Sequence, residues 1–170
     1  NVLLIEFNTR TPTLHALAQC ERKQWTPEGW QASVQTCHDL ATLDVLTCPD
    51  RAGHSIEFHN PESIKQLFNE CREHYNTVIC DVPPLLQPHE DNIPTDIVCA
   101  ACQGTVVNVL SGRTTESQVD EVRNTLNQCG ATLAAVVMND QHTPCLRREL
   151  IRETYRLERI FPKWMAKLRQ

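Results

Sequence analysis

Short, densely apolar runs alternate along the chain with longer stretches whose apolar residues recur at helical spacing. The runs are Val2–Ile5, Leu43–Cys48, Thr77–Cys80, Thr105–Leu110 and Leu133–Met138. Their shortness, apolar density and β-branched bias predict strands covered on both faces. Between the second and third runs, Asn60-Pro61-Glu62 is a helix start: a capping Asn, a Pro at the first helical position and an acid at the positive end of the dipole. Ile64, Leu67, Phe68 and Cys71 then form one apolar stripe. Thr114 or Thr115 opens another helix, which carries Val119, Val122 and Leu126, and Gly130 stands where a helix C-cap belongs. Weaker helical signals run from Thr11-Pro12-Thr13 to Cys20, from Thr26-Pro27 to about His38, and from about Asn92 to Cys102. Residues 50–59 and the Pro-rich stretch 82–91 read as loops.

Strands alternating with helices predict an α/β fold of three layers, a mostly parallel sheet with helices on both faces. The length of 170 residues fits one domain, able to bury about 70% of its unfolded surface. That domain is expected over 1–158, with a basic amphipathic tail over 159–170. The chain starts inside a core strand and not with Met, so a further stretch is expected upstream.

Composition adds exclusions. No apolar run approaches the roughly 20 residues of a membrane span, and no secretory signal is visible. The net charge of −5 conceals a basic end: residues 147–170 hold eight Lys/Arg and three Glu. A broad basic face is missing, so nucleic acid is not an expected partner. In the tail, Ile160, Phe161, Trp164, Met165 and Leu168 form a helical apolar stripe flanked by Arg159, Lys163, Lys167 and Arg169. Such a helix packs on its own sheet, docks on a partner or lies on a membrane surface. The nine cysteines are odd in number and include one C-x-x-C, Cys99-Ala-Ala-Cys102, without the second pair a zinc site wants. They read as reduced structural thiols, which points to the cytoplasm.

Open parallel sheets bind ligands beyond the carboxyl ends of their strands. The residues there are Glu6, Asn8 and Arg10, then Asp81, then Ser111 and Arg113, and last Asn139 and Asp140. Thr77-Val78-Ile79-Cys80-Asp81-Val82-Pro83-Pro84 is the most informative segment. An Asp ending a buried strand holds the water shell of Mg²⁺ in nucleotide enzymes. The plainer alternative is a capping Asp in a rigid turn.

The order of elements and the Asp-x-Pro-Pro motif resemble the bacterial tyrosine kinases of capsule and exopolysaccharide synthesis, relatives of the MinD and ParA ATPases within the P-loop NTPase fold. The resemblance covers nearly the whole chain. Its Walker A′ strand, hydrophobic-Asp-x-Asp-x-Arg, is matched by Ile5-Glu6-Phe7-Asn8-Thr9-Arg10, and its Pro-x-Leu-His helix start by Pro12-Thr13-Leu14-His15. Leu43-Asp44-Val45-Leu46 matches a strand leading to a proline-containing loop, and Asp81 the Walker B aspartate. Gly112-Arg113-Thr114-Thr115 matches the next loop, and Val136-Val137-Met138-Asn139 a strand whose Asn lies near the base.

The departures are equally specific. Glu6 and Asn8 replace the two Walker A′ aspartates; Glu6 keeps a charge on a longer arm, whereas Asn8 loses charge and basicity. No G-x-x-x-x-G-K-[ST] loop occurs in the 170 residues, and the family carries that loop upstream of Walker A′. The tail has Tyr155 alone in place of the family's tyrosine cluster. By itself the chain is therefore expected to be inactive, with a regulatory or accessory role in surface polysaccharide production.

Joined to an upstream phosphate loop, the resemblance implies binding of ATP and Mg²⁺. Asp81 would then organise the metal, Glu6 act as catalytic residue or ligand, and Asn8, Arg10 and Asn139 contact the nucleotide. The implied partner is a membrane-embedded regulator of polysaccharide chain length, which places the protein at the inner face of the plasma membrane. Arg147 and Arg148 are candidates to face a nucleotide or a neighbouring subunit of a homo-oligomer. Three rivals stand beside this reading: an intact ATP-binding kinase whose loop lies upstream, a partition-type ATPase relative, and a docking module whose cleft is filled by side chains such as Phe7.

Overall fold

The computed structural model describes residues 1–49 and 55–140; the tail, with Arg147, Arg148 and Tyr155, lies outside them. In chain order the elements are β1 (Val2–Glu6), α1 (Leu14–Leu17), a 3-10 turn (Trp30–Ser33), β2 (Gln35–Thr36), β3 (Leu43–Leu46) and a second 3-10 turn (Ile56–His59). Then come α2 (Pro61–His74), β4 (Thr77–Asp81), α3 (Thr95–Ala101), β5 (Thr105–Leu110), α4 (Glu116–Gln128) and β6 (Leu133–Asn139).

The strands form two hydrogen-bonded groups, β2-β3-β1-β4 and β5-β6. β1 pairs in parallel with β3 and with β4, and β5 with β6. Among the described strands only β2 is antiparallel, on the outer edge of β3. The expected α/β architecture is thus present, and the five apolar runs are the five parallel strands.

The strong helix signals act as read. The Asn60 side chain accepts from the Glu62 N–H at 3.0 Å, Pro61 opens α2, and Ile64, Leu67, Phe68 and Cys71 are all buried. Thr115 caps α4 in a reciprocal box with Gln118, and Gly130 follows its end at φ 77°, which a side chain would resist.

The weak signals overreach. The helix expected to reach Cys20 is one turn long, because Gln19 adopts a left-handed φ of 54°. The helix expected toward His38 is a 3-10 turn followed by the edge strand β2. Its Trp30 ring and Ser33 are buried, so packing rather than helical periodicity sets this segment.

One face of the larger group packs Leu3 and Ile5 against α2 and α3, with Trp25, Trp30, Phe58 and Ile93 completing the cluster. Phe7 lies edge-on to Trp25 and Phe68, at ring separations of 6.3 and 6.1 Å. The Trp25 indole N–H donates to the Thr47 carbonyl at 2.8 Å, which satisfies its polar handle inside the core. On the opposite face Leu4 and Val45 pack against Leu14, Ala18 and Cys37. A third cluster joins Cys99 of α3, Leu126 of α4 and Val107 of β5.

Candidate functional site

Parallel pairing brings strand ends together. Glu6 is the register partner of Asp81, so two carboxylates stand side by side where β1 and β4 end. The chain leaving β1 stays beside β4: the Phe7 N–H donates to the Asp81 carbonyl at 2.8 Å.

The two carboxylates differ sharply in surroundings. Glu6 is fully buried. One carboxylate oxygen accepts from the backbone N–H groups of Thr13 (2.6 Å) and Leu14 (2.9 Å). The other accepts from the Cys48 N–H at 3.3 Å. Thr13 makes no side-chain cap to α1, so Glu6 supplies the anion at that helix start and ties it to the chain after β3. Its longer arm makes this possible, since an Asp at the same position would be one methylene shorter.

Asp81 is exposed, and its carboxyl lies above the usual carboxylate range. Partial burial is the larger cause and the neighbouring Glu6 charge the smaller.

The other expected residues are distributed as follows. Asn8 folds onto its own loop: its amide N–H donates to the Thr11 hydroxyl at 2.9 Å, and its carbonyl accepts from the Thr11 N–H at 3.3 Å. Arg10 is exposed, and its backbone N–H donates to the Asn92 side-chain oxygen at 3.2 Å. Asn139 ends β6, opposite Leu110, and its carbonyl accepts from the Ser111 N–H at 3.0 Å. It belongs to the other strand group, so the sheet does not bring it beside Glu6 and Asp81. Phe7 points into the core between Trp25 and Phe68.

Asn92 is the residue that periodicity missed. Buried just before α3, its side-chain oxygen accepts from the Thr9 hydroxyl at 2.7 Å as well as from the Arg10 N–H. The Thr9 hydroxyl also meets the Asp91 carbonyl. Asn92 thereby locks the loop after β1 to the Pro-rich loop after β4. A polar residue directly before Ile93-Pro94 is the available signal, although in the sequence it marks the expected start of a helix.

Beside the end of β1 the described residues thus place one buried carboxylate, Glu6, and one exposed carboxylate, Asp81. Among them no group of three or more His, Cys, Asp or Glu could hold a metal by itself. They include no Gly-rich turn that would cradle phosphates. Among the described residues, no helix is long and apolar enough to cross a membrane.

No protein-family model matches the chain. Over 144 residues it is 28% identical to the tyrosine-protein kinase YwqD of Bacillus subtilis strain 168, covering 81% of this chain and 59% of that protein. The kinase domain of the Escherichia coli tyrosine kinase ETK superposes with a TM-score of 0.70 at 19% identity, covering 85% of this chain and 58% of that one. The MinD cell division protein of Aquifex aeolicus superposes with a TM-score of 0.63 at 14% identity, covering 87% and 59%. The chain is similar to the bacterial tyrosine kinases in sequence, and its fold is the MinD-like P-loop α/β fold. It spans less than two thirds of each of these three proteins.

Proposed function

We propose that this chain is the Walker A′ and Walker B portion of a tyrosine-kinase-like domain that serves capsule or exopolysaccharide production in a regulatory or accessory role. The observation that carries the reading is the contrast between Glu6 and Asp81. Both Glu6 oxygens are engaged by main-chain donors and closed to solvent. In this reading Glu6 is a bracket, and the strand that carries base and ligand chemistry in the family has become architecture. Asp81 keeps an open position beside it, available to the water shell of Mg²⁺.

Nucleotide binding then depends on a phosphate-binding loop that these 170 residues lack. Asn8, Arg10 and Asn139 are proposed as secondary contacts to the nucleotide, and Asp81 as the group that orients the metal. A membrane-embedded regulator of polysaccharide chain length is the proposed partner, which sets the working place at the inner face of the plasma membrane.

Calorimetry of ATP and ADP with Mg²⁺ tests this, on the 170-residue chain and on the polypeptide encoded from the gene's natural start. The expected result is binding in the longer form alone, weakened by Asp81→Ala, with phosphotransfer to tyrosine absent. Rapid tyrosine phosphorylation by the longer form would return the chain to the active kinases. Absence of nucleotide binding in both forms would leave a docking module on a nucleotide-binding fold.

A further inference from the structure

The fold divides the C-x-x-C pair of the sequence. Cys99 is buried in the cluster of Leu126 and Ala131. Cys102 caps the end of α3 and packs instead against the cluster that holds Leu3 and Ile5. Cys80 of β4 packs against that same cluster, because its register partner is Ile5 and the two side chains share the face on which α2 and α3 lie. The thiol brought to Cys102 thus comes from a strand far back in the chain and not from its C-x-x-C neighbour.

The two sulfurs are in contact: the Cys80 thiol donates a hydrogen bond to the Cys102 sulfur. Both line one groove of about 460 Å³ between β4 and β5, and both are only partly buried. Arg72 of α2 lines the groove as well, and its guanidinium donates to the Ala101 carbonyl at 3.5 Å, one residue before Cys102. A sulfur with a second thiol on one side, a cation on the other and a path to solvent has the surroundings of a reactive cysteine.

The charges single out Cys102 of the pair. A helix C-terminus alone disfavours an anion. Here Arg72 occupies the Ala101 carbonyl and adds a positive charge near the sulfur. The Cys102 thiol lies below its ordinary range, first through the hydrogen bond from Cys80, with burial opposing and Arg72 assisting. The buried cysteines nearby go the other way. Burial pushes Cys71 up to about 12 and Cys99 up to about 11, so both stay thiols at neutral pH and act as small apolar residues.

We propose that Cys102 and Cys80 form a dithiol site for a hydroperoxide, with Cys102 as the attacking thiol and Cys80 as the resolving one. The Cys102 thiolate attacks one oxygen of the hydroperoxide. An S–O bond forms, the O–O bond breaks, and the departing oxygen takes up the proton that Cys102 released and leaves as water or an alcohol. The Cys80 sulfur then attacks the sulfur of the sulfenic acid on Cys102. The S–S bond forms, the S–O bond breaks, and the hydroxyl leaves as water with the Cys80 proton. Two thiols are oxidised to one disulfide, one hydroperoxide is reduced, and a small-molecule dithiol restores the pair. Cys80 directly precedes Asp81, so the disulfide ties the strand end that presents this carboxylate to the end of α3. The site stands apart from the proposed function, since neither nucleotide nor metal enters its chemistry.

The test is peptide mapping by mass spectrometry without reductant, on the 170-residue chain and on the polypeptide encoded from the natural start. Each is reduced beforehand and then treated with stoichiometric hydrogen peroxide. The expected product in both forms is an intramolecular Cys80–Cys102 disulfide, formed before other cysteines react and reversed by dithiothreitol. In Cys80→Ser, dimedone is expected to trap a sulfenic acid on Cys102, whereas Cys102→Ser should leave Cys80 unlabelled. Arg72→Gln should slow disulfide formation by about threefold or more. A Cys99–Cys102 disulfide, a bond between two chains or the absence of any disulfide would each overturn the proposal. So would oxidation spread over the cysteines in order of exposure, or a reaction of the 170-residue chain that the longer form lacks. The map of the unsubstituted protein decides between these outcomes even where a serine variant fails to fold.

Discussion

The β1–β3 half and the β4–β6 half of the sheet are built from equally apolar runs and end in opposite conditions. Leu3, Ile5, Val45 and Leu46 are completely buried, whereas Ile79, Val106 and Val137 are about half exposed or more. The first half has helices or loops on both faces, and the second has α3 and α4 on one face. Apolar density in a run therefore records what a strand is made to be covered by, and the described residues supply that cover in one half only. Exposed apolar surface of this kind is where interaction sites are found.

The largest effects should separate the halves by stability. Phe7→Ala removes a ring wedged between Trp25 and Phe68 in the filled half, and about 3–5 kcal/mol is expected to be lost. At roughly 2–4 °C per kcal/mol for a chain of this size, that is a fall in Tm of about 6–20 °C. Ile79→Lys in the bare half of the 170-residue chain should stay within about 0.5 kcal/mol, as surface substitutions do. Thermal denaturation of both variants measures the contrast. An Ile79→Lys loss comparable with that of Phe7→Ala would show that the second half is already covered and erase the comparison.

Next in size is Glu6→Gln. The substitution keeps the shape but turns one acceptor into a donor facing a main-chain N–H, at Thr13 and Leu14 or at Cys48. A buried donor without an acceptor costs about 1–3 kcal/mol, and the bonds lost here are to a charge. Expected is a loss of about 2–3 kcal/mol, read by denaturant melts at constant slope. Glu6→Asp should fail similarly, because the shorter arm cannot reach α1 and Cys48 together. A tolerant Glu6→Asp would return the residue to the catalytic role that its position in the strand suggests.

These residues also show where the sequence was readable. Strand identities, the Asn60-Pro61 start and the Thr115 box depend on neighbours a few positions away, and each was legible. That Glu6 and Asp81 both stand at strand ends was legible, whereas their side-by-side placement depends on the strand order. The reach of Glu6 to Cys48 was not legible, because it spans 42 positions and depends on where β3 ends. Asn92 was hidden for the same reason, its partners lying 82 and 83 positions away. The weak helix toward His38 failed because burial of Trp30 and pairing with β3 outweighed a local propensity. The bare face was illegible, since a pattern shows that a strand is to be covered and not which segment covers it.

The smallest effect discriminates most finely at the site. Burial, and then the Glu6 charge, raise the Asp81 carboxyl above its ordinary range. The folded state thus binds that proton more tightly than the unfolded chain does. Below the unfolded value both states are protonated, and stability is at its full level as far as this group is concerned. As pH rises through the folded value the group ionises in an unfavourable place, and stability is lost. Asp81→Asn removes the ionisation, so Tm is expected to rise by about a degree or two at neutral pH and to gain nothing near pH 3. A helix- or turn-capping Asp behaves in the opposite way, because its charge is favourable and its loss lowers Tm at neutral pH. A fall in Tm would make Asp81 part of a rigid turn like the Asn8 loop beside it. A rise, together with weakened Mg²⁺-dependent nucleotide binding in the longer polypeptide, would mark a carboxylate held at a cost to stability for a ligand it has yet to meet.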